Sequence, residues 1–349
     1  MDPTIHLGQL PVSDVYRRFA EGEARGVSVV YEAWAREVSK DEPVQALLEV
    51  LPARKRQPNL VFAAARWHGA GTSYESLRTT LLERWPQVCH TILTRATQTN
   101  EAGRCAVILP LLATLPQPLA LIEVGASAGL CLLPDRYSYR YDNGTSLDPA
   151  DGPSPVVIPC HLGVGLPTPA MPEIAWRAGI DLAPVDVSNP DACRWLETLV
   201  WPGQEDRRAR LEAALRLARQ NPPQVVKGDL NEVLPELAAQ APSEATLVVF
   251  HTAVLAYLER EARSRFIELV TGLPGHWISN EGQTVVDLPR PFSLSAPDDG
   301  RFLMALDGVP RALTDPHGRS VISLSTSQDQ TQSDDQLASP QRPPAGGRR

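Results

Sequence analysis

Apolar residues in the first third of the chain recur at steps of three and four positions. This spacing places them along one face of a helix, where they can be buried against neighbouring helices. The clearest stripes comprise Val27, Val30, Trp34 and Val38, and further on Leu77, Leu81, Leu82 and Trp85. No stretch here alternates apolar and polar residues as a half-buried strand does. We therefore predict a helical N-terminal domain over residues 1–115.

The pattern changes after Pro116 and Pro118, where short apolar runs begin to alternate with longer helical stretches. That alternation is typical of βαβ units. It predicts an α/β domain over residues 116–324, with a mostly parallel sheet covered by helices on both faces. The predicted strands are 119–122, 137–141, 156–160, 174–180, 224–226, 245–250 and 277–279, with 301–306 and 321–324 as an antiparallel pair at the sheet edge. The second and third of these form an insertion near 137–160, with a turn at 142–144.

Residues 325–349 contain mainly Ser, Gln, Asp, Pro and Gly, and almost no apolar side chains. Such a segment cannot bury enough apolar surface to offset the entropy that is lost on ordering. We predict that it is a disordered tail.

A glycine-rich segment follows the first predicted strand of the α/β domain. It reads Glu123-Val124-Gly125-Ala126-Ser127-Ala128-Gly129. Glycine permits a tight turn and a close approach of backbone to ligand. A helix starting here would turn free backbone N–H groups toward the crevice. A carboxylate at Glu123 would weaken the binding of a negatively charged pyrophosphate, and it suits a ligand with a cationic amino group. NAD-binding fingerprints differ from this segment, because their acid lies about 20 residues later.

With three later motifs, this segment resembles the cofactor-binding sequence of class I S-adenosylmethionine-dependent methyltransferases. The later motifs lie at residues 177–182, 226–230 and 247–252. The resemblance implies a Rossmann-like methyltransferase-type sheet, with S-adenosylmethionine as the cofactor. The cofactor-binding residues that it implies are Glu123, Gly125, Ser127 and Gly129 at the methionyl and ribose groups, Asp181 at the ribose hydroxyls, and Asp229 and Leu230 at the adenine.

This chain departs from the methyltransferase pattern at two places. Ser127 replaces the usual middle glycine, which is compatible with the motif if the local φ is negative. The spacing between the first two motifs is stretched, which we attribute to the inserted strands, and Asp142 is the alternative to Asp181 as the ribose acid. Helix N-capping is an alternative role for both Asp181 and Asp229.

A second resemblance covers more of the chain. Residues 98–104, 125–130, 135–137, 179–186 and 195–202 resemble a bacterial family catalogued as domain of unknown function 2332. This resemblance spans nearly all of the chain that we predict to be ordered. It implies a shared fold and a shared site, and it implies no particular activity.

Two side chains outside the glycine-rich segment are candidates for the site. His251 ends a predicted strand facing the crevice, and the near-neutral pKa typical of histidine suits a general base. A histidine that only hydrogen-bonds the turn is the alternative. Arg104, with Asn100 and Glu101, is predicted to pack over the cofactor and to pair with a carboxylate. An ion pair with Glu101, three residues earlier on one helix, is the alternative for Arg104.

The glycine-rich segment is also compatible with functions other than methyl transfer. Residues 125–129 match the G-x-S-x-G nucleophile elbow of serine hydrolases. The partners of Ser127 are then Asp229 with His251, or Asp315 with His317. Pro134 permits only a short helix after the turn, which argues against this hydrolase. A non-catalytic nucleotide- or metabolite-binding protein on the same fold is a further alternative, because a fold does not fix a function.

The amino-acid composition limits the expected binding partners and indicates the cellular compartment. A formal net charge of −8 disfavours nucleic acid and anionic membranes, and leaves a small molecule as the expected substrate. The five cysteines have no paired spacing, which predicts reduced thiols in a cytoplasmic protein and no metal site. No signal peptide or membrane span is expected, since prolines break the most apolar stretch, residues 106–122.

Arg207, Arg208 and Arg210 are predicted to lie on a solvated helix face. Nothing in the sequence specifies an oligomeric state.

Overall fold

The computed structural model describes residues 10–288 and 300–324. Six helices come first and pack around a core of their own. Their bounds are α1 Val12–Glu21, α2 Val29–Val38, α3 Glu42–Glu49, α4 Pro58–Trp67, α5 Tyr74–Glu83 and α6 Trp85–Thr94. Aromatic rings fill this core, where Phe62 meets Tyr16, Tyr31 and Trp34 edge to face. These six helices lie within the predicted helical region, residues 1–115, and the predicted tail at 325–349 lies outside the described residues.

Helix α7, Arg104–Leu112, packs with the second part of the chain instead. It is buried along its whole length and shares a core with sheet residues such as Leu121 and Phe250. The chain passes from the first core to the second between Ile92 and Ala102. Residues 96–101, which we call the linker, have no regular secondary structure and make this passage.

An eleven-stranded sheet forms the second part of the described chain. Its strands are β1 Leu119–Val124, β2 Ser138–Tyr141, β3 Ser146–Leu147, β4 Val157–Leu162, β5 Ile174–Asp181, β6 Val225–Lys227, β7 Thr246–Thr252, β8 His276–Gly282, β9 Phe302–Leu306, β10 Val309–Thr314 and β11 Ser320–Ser323. Their order is β3-β2-β4-β11-β10-β9-β8-β7-β1-β5-β6. Strands β6, β5, β1, β7 and β8 are parallel to one another, which confirms the mostly parallel α/β sheet.

Helices cover both faces of the sheet. The remaining helices are α8 Pro190–Leu199, α9 Glu205–Gln220, α10 Leu230–Ala238 and α11 Arg260–Thr271. Successive side chains of a strand point to opposite faces. Leu119 and Leu121 therefore share a buried cluster with α7, α8 and α9, whereas Ile122 and Val124 share one with α10 and α11. None of the helices in the described ranges is both long and apolar enough to cross a membrane.

One local prediction about the sheet is wrong. Strands β9 and β11 do not pair, because β10 lies between them and β11 continues the sheet by pairing with β4. The predicted turn at 142–144 is present and joins β2 to the short strand β3, whereas β4 runs parallel to β2. The sequence pattern also missed β10, which has few buried positions, and α10, which carries Pro235 in its interior.

The chain reverses its direction of growth along the sheet at β1. After β1 and the inserted strands it forms β5 and β6 on one side of β1, and then β7 and β8 on the other. In open parallel sheets, ligands bind beyond the carboxyl ends of the strands at such a switch point. The glycine-rich segment begins there, directly after Val124.

Candidate functional site

A cavity of about 550 Å³ opens at this switch point. Residues that end or follow β1, β5, β6 and β7 line it, and the linker supplies further lining. Its polar residues at the strand ends are Glu123, Asp181, Asp229 and Thr252. The volume falls within the range of roughly 300–1,000 Å³ that is typical of small-molecule sites.

The backbone N–H groups of the glycine-rich turn are used within the protein. Each N–H from residue 125 to residue 129 donates to a neighbouring acceptor. The pairs are Gly125 and Ala126 with the Ile180 carbonyl, Ser127 with Asp181 Oδ2, Ala128 with Asn100 Oδ1, and Gly129 with the Ala126 carbonyl. The expectation of free N–H groups at the crevice is therefore wrong for these five residues. The turn offers no nest of amides to a phosphate group.

Ser127 adopts a φ of 51°, so the expectation of a negative φ is wrong. This left-handed conformation costs a non-glycine residue roughly 1–2 kcal/mol. Hydrogen bonds hold it there, since Asp181 accepts from the Ser127 N–H at 2.8 Å and Asn100 Nδ2 donates to Ser127 Oγ at 2.9 Å. Within the described chain Ser127 has no histidine among its hydrogen-bond partners. The geometry does not form the triad of a serine hydrolase.

Gly125 and Gly129 face protein atoms. A Cβ on Gly125 would lie 2.4 Å from Val254 Cγ2, and one on Gly129 would lie 2.8 Å from Pro223 Cβ. Gly125 nevertheless lines the cavity, as does Val254, whereas Gly129 is not among the lining residues. Packing against the loop after β7, together with a left-handed φ of 73°, accounts for the glycine at this position.

Glu123 is the most unusual group in the cavity. Its side chain is only 5% exposed, and its Oε2 has no hydrogen-bond partner in the described part of the chain. Burial raises the pKa of Glu123 well above its usual range, and the nearby Cys131 thiol adds to the rise. The positive charge of Arg104 opposes this rise without cancelling it.

Asp181 and Asp229 line the same cavity, and each also holds backbone. Asp181 accepts hydrogen bonds from the N–H groups of Ser127 and Ala183, both at 2.8 Å, so it braces the glycine turn and caps no helix. Asp229 does cap α10, by accepting from the Asn231 N–H at 2.8 Å. A carboxylate has about four lone-pair sites, so both acids retain capacity for a ligand. Leu230, which follows Asp229, also lines the cavity.

Arg104 lies at the start of α7 and contributes a cation to the cavity lining. Its Nε donates to the Pro316 carbonyl at 2.8 Å and its Nη1 to the Thr252 carbonyl at 2.9 Å. Arg104 thereby ties α7 to the end of β7 and to the loop between β10 and β11. Arg104 and Glu101 form no ion pair in the described chain, which removes the alternative of an intrahelical pair.

Glu101 pairs with α9 instead. Its Oε2 lies 2.7 Å from Arg207 Nε, as an ion pair without hydrogen-bond alignment, and its Oε1 accepts from Arg210 Nε at 3.2 Å. The side chains of Arg207 and Arg210 are mostly buried. The predicted solvated face is therefore wrong for these two arginines. It is correct for Arg208, which is exposed and pairs with Glu212.

The structure does not bring His251 to the cavity. The Trp277 indole N–H donates to His251 Nε2 at 3.0 Å, so His251 Nδ1 carries the proton and donates to Glu281 Oε1 at 2.7 Å. With both ring nitrogens engaged and the ring fully buried, the geometry does not support a general base here. Glu281 Oε1 also accepts from the N–H groups of Val254 and Leu255. The pair of His251 and Glu281 therefore fixes the loop after β7.

The remaining candidates lie away from the cavity. Asp142 pairs with His161 near the opposite end of the sheet and is not among the lining residues. Asp315 accepts from the His317 backbone N–H and forms an ion pair with Arg319, so it is engaged in its own loop. Over residues 10–288 and 300–324, no group of three or more His, Cys, Asp and Glu side chains is placed to hold a metal ion.

Sequence reasoning missed much of the apolar lining. Val254, Tyr257 and Leu258 follow β7 and line the cavity, and Tyr257 is 80% exposed. Their position after a predicted parallel strand is the available signal, because loops at carboxyl ends form ligand sites in such sheets. Residues 96 and 97 of the linker give no such signal, whereas residues 98 and 99 belong to a segment that carries the family resemblance.

Comparison with known proteins gives one result. A family sequence profile matches residues 13–322, which run from the start of α1 to the end of the sheet and cover nearly all of both. A search of curated proteins returned no match. The family resemblance in the sequence is thereby confirmed, and the chain belongs to the family described as "Uncharacterized protein conserved in bacteria (DUF2332)".

Proposed function

We propose that this protein is an S-adenosylmethionine-dependent methyltransferase acting on a small molecule. The observation that supports the proposal best concerns Glu123, which lines the cavity and whose buried Oε2 has no hydrogen-bond partner among the residues that the structure describes. A buried carboxyl group can be ionised at low cost only if a cationic or hydrogen-bonding partner is present. A ligand with an ammonium group supplies one, and the methionyl part of this cofactor carries such a group.

Three carboxylates stand in a row along the sheet edge. Asp229 follows β6, Asp181 ends β5 and Glu123 lies near the end of β1, and these strands are neighbours. Strands are spaced by about 4.8 Å, so the row spans on the order of 10 Å. That length suits a nucleoside carrying a short side chain. In this arrangement Asp229 and Leu230 hold the adenine, Asp181 the ribose hydroxyls, and Glu123 the ammonium group.

Arg104 completes the amino-acid end of this arrangement. It lies close enough to Glu123 to affect the pKa of that carboxyl, and both line the cavity. A cation beside an acid matches the carboxylate and ammonium of an α-amino acid. The turn at 125–129 has no free N–H groups, and acids outnumber cations in the lining, so a polyphosphate nucleotide fits poorly.

Bound S-adenosylmethionine supplies an electrophilic methyl group. The residues of this chain then bind and orient the cofactor and the acceptor, and the linker forms one wall of the cavity. Catalysis of this kind is mainly positioning, for which alignment of the reacting atoms contributes most. His251 takes no part in this scheme.

A non-catalytic binding protein is the second candidate. Among the described residues, the cavity lining contains no histidine and no lysine, which are side chains that often act as bases near neutral pH. An acceptor with a hydroxyl group would need such a base. An acceptor that is already a good nucleophile would not.

Calorimetric titration with S-adenosylhomocysteine tests the binding half of the proposal. We expect saturable binding that Asp229→Asn weakens at least tenfold, because hydrogen bonds to charged groups contribute about 1.5–3 kcal/mol. Asparagine also caps helices well, so this variant keeps the start of α10. Asp142→Asn is the matched control and should bind normally. Absence of saturable binding at millimolar ligand overturns the proposal.

Transfer of a labelled methyl group from the cofactor into a bacterial extract tests the catalytic half. A labelled product that is absent with the Asp229→Asn variant is expected for a methyltransferase. Ligand binding without any transfer would select the non-catalytic candidate.

A further inference from the structure

We propose that Glu123 exchanges a proton for a ligand cation: it is a neutral acid in the free protein and becomes ionised when an ammonium group binds beside it. Each binding event then releases one proton to the solvent. The identity of the ligand rests on the proposed function, whereas the state of the carboxyl in the free protein does not.

The position of Glu123 is the first ground. It lies next to last in β1, in register with Phe250 of β7, and its side chain points to the same face as Thr252. Both side chains are 5% exposed and line the cavity, and both Glu123 Oε2 and Thr252 Oγ1 lack hydrogen-bond partners within the described residues. The carboxyl is thus buried, incompletely bonded and in contact with the space for a ligand.

The groups around Glu123 are the second ground. Arg104 of α7 is the nearby cation, but its Nε and Nη1 donate to the carbonyls of Pro316 and Thr252. No ion pair to Glu123 forms in the described chain. Cys131, in the short helix after the turn, and Asp181, at the end of β5, both disfavour a negative charge on Glu123.

An unpaired charge in such surroundings costs more than a neutral acid. Burial, the Cys131 thiol and Asp181 therefore raise the pKa of Glu123, and Arg104 offsets only part of the rise. The free protein accordingly holds Glu123 as a carboxylic acid near neutral pH.

A bound ammonium group reverses this preference. It supplies an opposite charge within hydrogen-bond reach, which lowers the pKa of the carboxyl. The carboxyl O–H bond breaks, the proton passes to the buffer, and the carboxylate pairs with the ammonium. As the pH rises from the pKa of Glu123 in the complex to its pKa in the free protein, the affinity for the cation increases about tenfold per pH unit.

Isothermal titration in two buffers of equal pH and different ionisation enthalpy counts the released protons. We expect about one proton for S-adenosylhomocysteine and none for 5′-methylthioadenosine, which lacks the amino-acid group. The Glu123→Gln variant should release none with either ligand. Tight binding of S-adenosylhomocysteine without proton release would overturn the proposal.

Carbon-13 NMR of glutamate-labelled protein tests the free state without any ligand. The carboxyl signal that disappears in Glu123→Gln should have the chemical shift of a protonated acid at pH 7. An ionised signal at pH 6 refutes the exchange, whatever ligand is found. A protonated signal in a protein that does not bind S-adenosylhomocysteine supports the neutral state of Glu123 in the free protein and contradicts only the proposed methyltransferase function.

Discussion

Gly125 and Gly26 share a left-handed backbone, with φ of 73° and 71°, yet only Gly125 has a neighbour where a side chain would begin. A Cβ on Gly26 would meet no atom within 4 Å. A Cβ on Gly125 would overlap both methyl groups of Val254. The two glycines therefore separate the cost of the backbone conformation from the cost of the contact.

We predict that Gly26→Ala lowers the free energy of unfolding by about 1–2 kcal/mol, through the left-handed conformation alone. Gly125→Ala should cost more than Gly26→Ala, because Val254 must also move and the core there is tightly packed. Urea denaturation of the two variants measures the difference. Adding Val254→Ala to Gly125→Ala should recover part of the loss, and a strictly additive double variant would contradict the proposed contact.

Glu101 is expected to be critical for stability. Removing one partner of a buried ion pair leaves the other charge uncompensated and costs about 3–5 kcal/mol. Glu101→Gln would leave Arg207 and Arg210 in that situation. Glu212→Gln, which removes the exposed partner of Arg208, should cost less than about 1 kcal/mol. Equal shifts of the melting temperature in the two variants would contradict the buried network.

His317 should make stability depend on pH. Burial, and then the charge of Arg207, lower the pKa of His317 to about 4, below the usual histidine value near 6.5. Between these two values the unfolded chain binds a proton that the folded protein does not. Stability is therefore complete above the ordinary histidine pKa and falls as the pH drops toward 4.

Chemical denaturation between pH 7 and pH 4 measures the effect of His317. The loss of stability over this interval should be smaller in His317→Gln than in the wild type. The same replacement at His90, which is exposed on α6, should leave the loss unchanged. A parallel pH profile for His317→Gln would contradict the shifted pKa.

Glu281 should stiffen the loop after β7. Its Oε1 accepts from His251 Nδ1 and from the N–H groups of Val254 and Leu255. Glu281→Gln removes the charge from these bonds, and we expect a loss of about 1–3 kcal/mol. Hydrogen exchange at Val254 and Leu255 should accelerate. Glu259→Gln, at an exposed position, is the control and should leave both amides protected.

Much of the fold could be predicted from the sequence, because the periods of helices and parallel strands are strong local signals. Asp181 and Asp229, which the sequence places at or just after strand ends, both line one cavity. The interpretation of His251 failed because alternation decides which face of β7 a side chain occupies, and Thr252 points to the cavity instead. Contacts across the chain, such as Trp277 with His251, leave no local trace in the sequence.

The partners of the buried charges likewise could not be predicted from the local sequence. Glu101 precedes α7, and its partners Arg207 and Arg210 lie on α9, about a hundred residues later. Arg208, which directly follows Arg207 in the sequence, is exposed to solvent. Nothing in the run of charges distinguishes the three arginines, since only the packing of α9 against the linker decides which are covered.

The linker joins two separate cores, and it is also part of the cavity wall. Asn100 bonds to the glycine turn of the sheet, while the Ala96 carbonyl accepts from Trp195, which is packed among the N-terminal helices. A molecule seated in the cavity thus touches the one covalent bridge between the two halves. A ligand that binds only the folded protein should accordingly stabilise both halves, so that the melting temperature rises with ligand concentration.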